Sequence, residues 1–187
     1  MQPEIETGRL KLRSWTPEDA QRLVELAGDR RVADTMISIP HPYPLELARE
    51  WIASRKERFE AGRDVSFAVQ FRKEPLVIGS IEVRDIERDN LQGELSFWIG
   101  VPYWGRGYAY EAVMAAVRFA FTQLRLNRIC AHHMVRNAAS GRVLEKAGFK
   151  REGLLRQRVR KWGVFEDVVV MALLHGEWEE ELDWSVG

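Results

Sequence analysis

Apolar residues recur with two different periods along this chain, and the changes of period divide it into elements. From Arg9 to Trp15 apolar and basic residues alternate, with Leu10 and Leu12 on one side and a switch near Trp15, as in a half-buried strand. Thr16-Pro17-Glu18-Asp19 follows with a cap, a first-turn proline and two acids at the positive end of a helix, which predicts a helix to about Ala27. A short second helix is expected over 29–36. Ser38 to Pro44 contains three prolines and is irregular. Leu45 to Ala61 returns to helical spacing through Leu47, Trp51, Ile52, Arg55 and Phe59, and Gly62 ends it.

The period then shortens. Val65 to Phe71, Leu76 to Val83 and Glu94 to Ile99 read as consecutive strands, the first two joined around Lys73-Glu74-Pro75. Tyr108 to Leu124 is a strongly apolar helix, Ile129 to Val135 a strand and Ala138 to Ala147 a helix. Arg151 to Arg158 and Phe165 to Leu174 complete the strands. The acidic tail from Glu177, with Trp178 and Trp184, reads as a packed terminal segment or a frayed end rather than a site. No repeat, low-complexity tract or linker interrupts the chain. The expectation is one α+β domain over 1–187, with a core of about 8–175, a tail of 176–187 and a mainly antiparallel sheet.

Composition narrows the class. With 187 residues, 45% of them hydrophobic and 30% charged, the chain buries a substantial core and has the make-up of a soluble globular protein. Lys+Arg and Asp+Glu both number 28, so no overall field draws it to nucleic acid or a membrane. The single cysteine, Cys130, rules out an internal disulfide and fits a reducing compartment. Without an apolar leader or a run of roughly 18 apolar residues, the cytoplasm is the expected location. Seven tryptophans exceed what such a core needs, so one or two are expected to line a pocket.

Two segments carry the chemistry. Trp104-Gly105-Arg106-Gly107-Tyr108-Ala109 lies between a strand and a helix, where glycines let an anion approach the backbone and the helix end supplies N–H donors. The bland alternative is a tight turn that binds nothing. The segment is not a Rossmann fingerprint, and no P-loop lysine is present. Asn137 and Ser140 open the second segment, where Asn137 is either a helix cap alone or a ligand contact as well.

Trp104 to Ala109 resembles the acetyl-CoA pyrophosphate signature of the GNAT N-acetyltransferases. Together with Asn137-x-x-Ser140 and Glu145-Lys146-x-Gly148-Phe149, it is similar to the branch that acetylates the N-termini of ribosomal proteins, the RimJ/RimL type. The likeness runs from Glu6 to about His175. It departs from the general signature at Trp104, where that signature has Arg or Gln, as is usual in this branch.

The resemblance implies a three-layer α/β/α fold whose mixed, mostly antiparallel sheet is split between its fourth and fifth strands. It implies acetyl-CoA as cosubstrate, held by the strand end at Trp98 and Ile99, by Val101, and by the loop Trp104, Gly105, Arg106, Gly107, Tyr108 and Ala109, with Asn137 and Ser140 on the pantetheine arm. An N–H near Trp98 and Ile99 would meet the thioester oxygen. It also implies Glu94 as the base for the amine, whose face alternation shares with Ser96 and Trp98; Glu82, on a neighbouring strand, is the substitute. An α-amine has a pKa of about 7.7–8.0, within reach of a carboxylate acting through water. Leu144 stands where many members have a tyrosine, which leaves Ser140 as the acid that protonates the leaving thiolate. His41, Tyr43 and Trp51 fall on the acceptor side, where they either line the cleft or pack a loop on a helix.

Other residues rank lower. His132 and His133 are adjacent on a strand and point to opposite faces, and no zinc-type spacing occurs, so no metal is expected. Cys130 reads as a small buried residue. The basic stretch Lys150, Arg151, Arg156, Arg158, Arg160 and Lys161 is either a solvated face or a contact for an acidic acceptor or the cofactor's phosphates. The acceptor is a protein N-terminal amine or a small amine such as a polyamine, amino acid or aminoglycoside. A different acyl donor, a CoA-binding module without turnover and, more remotely, a nucleic-acid binder are the alternatives. Members are often dimers, so the resemblance admits a homodimer while the sequence itself leaves the oligomeric state open.

Overall fold

A computed structural model describes residues 1–178; Trp184 and the rest of the acidic tail lie outside the described residues. Eight strands form one sheet: β1 (Ile5–Glu6), β2 (Leu10–Arg13), β3 (Val65–Phe71), β4 (Val77–Glu87), β5 (Gln92–Ile99), β6 (Arg128–Met134), β7 (Lys150–Lys161) and β8 (Val164–Leu174). Their order is β1-β2-β3-β4-β5-β6-β8-β7, and every neighbouring pair is antiparallel except β5 and β6. The helices are α1 (Ala20–Ala27), α2 (Arg30–Ala33), α3 (Leu45–Glu60), α4 (Tyr108–Thr122) and α5 (Ala138–Lys146). Among the described residues no helix is long and apolar enough to cross a membrane.

Alternation on the strands creates two cores. Val65, Phe67 and Val69 of β3 join Ile81, Val83 and Leu95 under Val113, Ala116, Val117 and Ala120 of α4. On the opposite face Ala68 and Val77 meet Leu23 and Ala27 of α1 and Ala48 and Ile52 of α3. The result is a helix–sheet–helix sandwich, and β3, covered on both faces, is buried nearly throughout.

The expected elements are present with three physical differences. The short β1 lengthens the sheet edge by pairing Ile5 with Leu12, so the expected fourth and fifth strands become the fifth and sixth in chain order. The hairpin of β4 and β5 runs past Val83 and starts before Glu94, because backbone pairing of Arg84 with Glu94 and Glu87 with Gln92 needs no apolar side chain. Leu47 faces outward, while Ala48 and Ile52 bury the inner stripe of α3.

One feature of the sheet positions everything functional. The parallel pairing of β5 with β6 covers only Gln92–Leu95 against Arg128–Ala131. Beyond it β6 continues to pair with β8 as far as Met134, while β5 stays with β4 as far as Ile99. The two central strands therefore part, opening a wedge in the sheet.

Phe67 is fully buried at the centre, edge-to-face with Phe119 of α4 at 5.5 Å. Phe67→Ala is expected to cost about 3–5 kcal/mol in urea unfolding, since the cavity sits between a central strand and its covering helix. A loss below about 1 kcal/mol would contradict this packing.

Candidate functional site

The first wall of the site grows from the end of β5. Gly100 leads into a single 3-10 turn over Val101–Tyr103, and the chain then reaches α4 through Gly105 and Gly107 at φ 73° and 78°. Only glycine adopts these left-handed angles freely, and Gly107 caps α4 without a side chain, leaving the first-turn N–H groups open to a ligand. Trp104 Nε1 donates to the Ile99 carbonyl at 2.5 Å and ties the loop to the strand end. A brace from the other end of the domain fixes it further. Glu111 accepts from Thr7 Oγ1 (2.6 Å), the Arg9 N–H (2.8 Å) and Arg9 Nε (2.6 Å), and Arg9 also donates to the Arg106 carbonyl at 2.9 Å.

This loop and α5 enclose a groove of about 720 Å³. Trp98, Ile99, Trp104, Gly105, Gly107, Tyr108 and Ala109 line one side, with Asn137 and Ser140 across from them. Val101 and Arg106 do not reach the lining. Arg142 and Lys146 project from α5 into the same groove, and Lys146 lies 4.5 Å over the Tyr110 ring. The groove thus joins a helix N-terminus, two cations and aromatic walls, a donor set that fits a pyrophosphate with an apolar arm.

The wedge between β5 and β6 forms the floor. The Gly100 N–H bonds to the Ile78 carbonyl, so even-numbered residues of β5, Trp98 included, turn their backbone groups toward β4. The N–H groups directed at the wedge are therefore those of Phe97 and Ile99, which corrects the expectation for Trp98 and keeps Ile99. Asn137 caps α5 as expected, its Oδ1 accepting from the Ser140 N–H at 3.3 Å. Its Nδ2 also donates to Ser140 Oγ at 2.9 Å, which leaves the hydroxyl proton to be offered elsewhere. Leu144 is fully buried and contributes no acid.

Glu94 and Ser140 line one small space of about 40 Å³ in the wedge, along with Arg84 and His132. Arg84 Nη2 donates to Glu94 Oε1 at 2.5 Å, and His132 Nδ1 lies 3.3 Å from Oε2. Burial pushes the Glu94 carboxyl upward, but His132 and Arg84 outweigh it and hold it at about 2. His133 points to the other face, as expected, and is buried with its ring against Gly141. Cys130 is half-buried rather than buried, and its Sγ stands within 4.8 Å of the ligand-capable atoms of Glu94 and His132. The Arg84 charge opposes a cation among them.

On the far side of Trp98 lies a cavity of about 330 Å³, walled by Tyr43 and Trp51. Its charged groups are Glu82, Asp64 and Asp85 with Arg55, Arg58 and Arg84. Arg58 is committed to Asp64 and Arg84 to Glu94, whereas Arg55 stands 3.7 Å from Asp64 and 3.5 Å from Glu82. Glu82 Oε2 is buried without a hydrogen bond, and burial drives its carboxyl above the ordinary value despite Arg55 and Arg84. His41 stands apart: its Nδ1 bonds to the Gly28 carbonyl at 2.8 Å and its ring packs on Trp162, outside the cavity lining.

Sequence reasoning missed Arg84, Arg55, His132, Arg142 and Lys146. Two signals were available, namely the two-residue step from Glu82 to Arg84 on one strand face and the four-residue step from Arg142 to Lys146 on one helix face. The basic stretch of β7 lies on the outer strand of the sheet, where Lys161 Nζ donates to the Ile39 carbonyl at 2.7 Å.

Residues 9–150 match the family model described as the acetyltransferase (GNAT) domain. A probable N-acetyltransferase of Bacillus subtilis (strain 168), YjcK, is 36% identical over 147 residues, covering 78% of this chain and 81% of that protein. The [ribosomal protein uS5]-alanine N-acetyltransferase of Escherichia coli (strain K12) is 26% identical over 179 residues, covering 93% of this chain and 92% of its own length. In fold the chain is similar to a Vibrio cholerae spermidine N-acetyltransferase solved with CoA and spermine, at TM-score 0.82 and 23% identity, covering 92% and 99% of the two chains.

The carboxylate held at about 2 against an ordinary 4.5 makes a stability prediction. A depressed pKa contributes stability above the ordinary value and loses it as pH falls through the folded one. Glu94→Gln is therefore expected to cost about 2–3 kcal/mol in urea unfolding at pH 7. The gap to the native chain should narrow steadily below about pH 4.5. A gap independent of pH would show that the pairing with Arg84 and His132 does not hold the charge.

Proposed function

The chain belongs to the GNAT acetyltransferase family, and on that premise we propose that it transfers the acetyl group of acetyl-CoA directly to a primary amine. The observation that carries this reading is the convergence of two recesses on one strand end: Trp98 lines both the groove beside α4 and α5 and the cavity holding Glu82. A donor and an acceptor approaching from opposite sides meet at the wedge without either having to pass the other.

Acetyl-CoA supplies the activated acyl group as a thioester. The open N–H groups at the start of α4 would hold its pyrophosphate, with Arg142 and Lys146 adding charge, and Asn137 the amide-rich arm. The Phe97 and Ile99 N–H groups offer hydrogen bonds to the acyl oxygen as its charge grows. Ser140, already accepting from Asn137, donates its proton to the departing sulfur.

On the acceptor side Glu82 receives the amine. Its buried Oε2 faces Arg55 at 3.5 Å without a hydrogen bond, a vacancy that an ammonium or amine fills. Glu94 stays ionised at the wedge and favours the positive charge that develops on the attacking nitrogen. The acceptor we favour is a protein N-terminal α-amine, whose first side chain fits a cavity of about 330 Å³ between Trp51, Tyr43 and Trp98. The likeness to the uS5-alanine N-acetyltransferase supports it.

The cofactor assignment is tested by thermal unfolding. Millimolar acetyl-CoA should raise the transition temperature by several degrees while ATP and NAD leave it unchanged, and no shift with acetyl-CoA would refute the assignment. Thiol release with a panel of N-terminal peptides, polyamines, amino acids and aminoglycosides then identifies the acceptor. Glu82→Gln should raise the KM for the amine by about ten- to a hundredfold and leave stabilisation by acetyl-CoA intact. An unchanged amine KM would remove Glu82 from the acceptor site.

A further inference from the structure

Resting on that reaction, we propose that His132 is the base that takes the proton from the attacking amine, with Glu94 orienting it rather than accepting the proton itself. Both Glu94 oxygens are committed, Oε1 to Arg84 and Oε2 to the His132 ring. An ionised carboxylate only accepts hydrogen bonds, so Glu94 Oε2 at 3.3 Å favours the tautomer with the ring proton on Nδ1, in which the neutral imidazole keeps a lone pair on Nε2. No hydrogen bond engages Nε2 among the described residues. Arg84, Glu94 and His132 sit on three neighbouring strands, so the row is fixed by the sheet and not by a loop.

Position supports the same role. His132 follows Cys130 and Ala131, the last residues of β6 to pair near the wedge, and so stands where β5 and β6 have just separated. It lines the same small space as Ser140, the proposed acid, and Phe97, a proposed N–H donor. That space is about 40 Å³, enough for an amine nitrogen or a water or two but not for a side chain. Base and acid therefore flank one reacting atom.

The proton count closes. The amine lone pair forms the N–C bond, the N–H bond breaks and its proton passes to Nε2. The C–S bond breaks with its electrons on sulfur, which takes the Ser140 proton. Ser140 regains a proton from solvent and the imidazolium returns one, so an amine and a thioester become an amide and a thiol.

The charged and titratable groups that face His132 are Glu94 from β5, Arg84 from β4 behind it and Cys130 on its own strand. On β8 its partner is Val170, and α5 offers Ser140 and Asn137. The segment 35–38 over the wedge adds Thr35, Met36, Ile37 and Ser38, and Glu82 acts through Arg84. The Glu94–Arg84 pair therefore sets the field at the ring.

Two measurements decide the matter. Imidazole nitrogen NMR on the ligand-free chain should show His132 protonated at Nδ1 with a free Nε2 when neutral, and Glu94→Gln should weaken that preference. An Nε2-protonated tautomer, or a tautomer preference indifferent to Glu94→Gln, would overturn the proposal without any amine being needed. In turnover, His132→Gln should lower kcat about a hundredfold or more and abolish the acidic limb of its pH profile. Acetyl-CoA should still stabilise that variant, and added imidazole should restore part of the rate in His132→Gly. An unchanged kcat and pH profile in His132→Gln would refute the base role while leaving the transferase reading intact. Loss of the acetyl-CoA shift in the native chain would strike the transferase reading and leave the NMR result to stand alone.

Discussion

The early end of one parallel strand pairing is the constraint from which the rest of the molecule follows. After Leu95 and Ala131 the two central strands are no longer joined, yet each keeps its outer partner, so neither is free to collapse onto the other. A sheet interrupted in this way exposes backbone N–H and C=O groups at its centre. Unsatisfied groups of that kind are costly in a dry interior. A narrow, polar gap between helical layers is the arrangement that lets them serve a reacting ligand instead. The glycine loop, the cap of α5 and the acid-lined cavity are then built around its rim.

Charge is distributed around that gap in pairs rather than singly. Arg58 neutralises the buried Asp64, and Arg84 neutralises Glu94. Each pair offsets a desolvation cost that an isolated ion would not survive. Glu82 is the exception, sharing an Arg55 that also faces Asp64. Two carboxylates set diagonally on neighbouring strands thus end with opposite behaviour, one held ionised and the other pushed toward its neutral form. Their sequence surroundings are alike; the partners make the difference.

That contrast also explains what was legible beforehand. Helix boundaries, strand faces and the glycine loop depend on neighbours a few residues away, so the periodicity at Leu45–Ala61 translates into α3 and the Thr16-Pro17 start into a 3-10 turn over Pro17–Asp19 that leads into α1. The two-residue β1 has too few residues to show a period. The site is legible where one strand or helix carries it, as with Asn137 and Ser140. It is not legible where register decides: His132 meets Glu94 only because Cys130 pairs with Glu94 across a parallel ladder whose alignment no local pattern encodes. His41 fails for a related reason, since a proline-rich loop has no periodic face and its direction depends on Gly28 and Trp162.

The brace between Arg9 and Glu111 has a kinetic side. Its partners are separated by 102 positions in the chain, and the loop they stiffen lies next to one of them. During synthesis the anion-facing loop is made long after β2, yet it acquires its final shape only when α4 returns to the first strands. Loop closure over such a distance has a slowly growing entropic cost that is recovered only when the whole sheet is in place. Half-assembled chains consequently lack the rigid N–H cradle even though every residue of the loop has already been made. The shape of this loop is thereby coupled to the assembly of the first strands with α4.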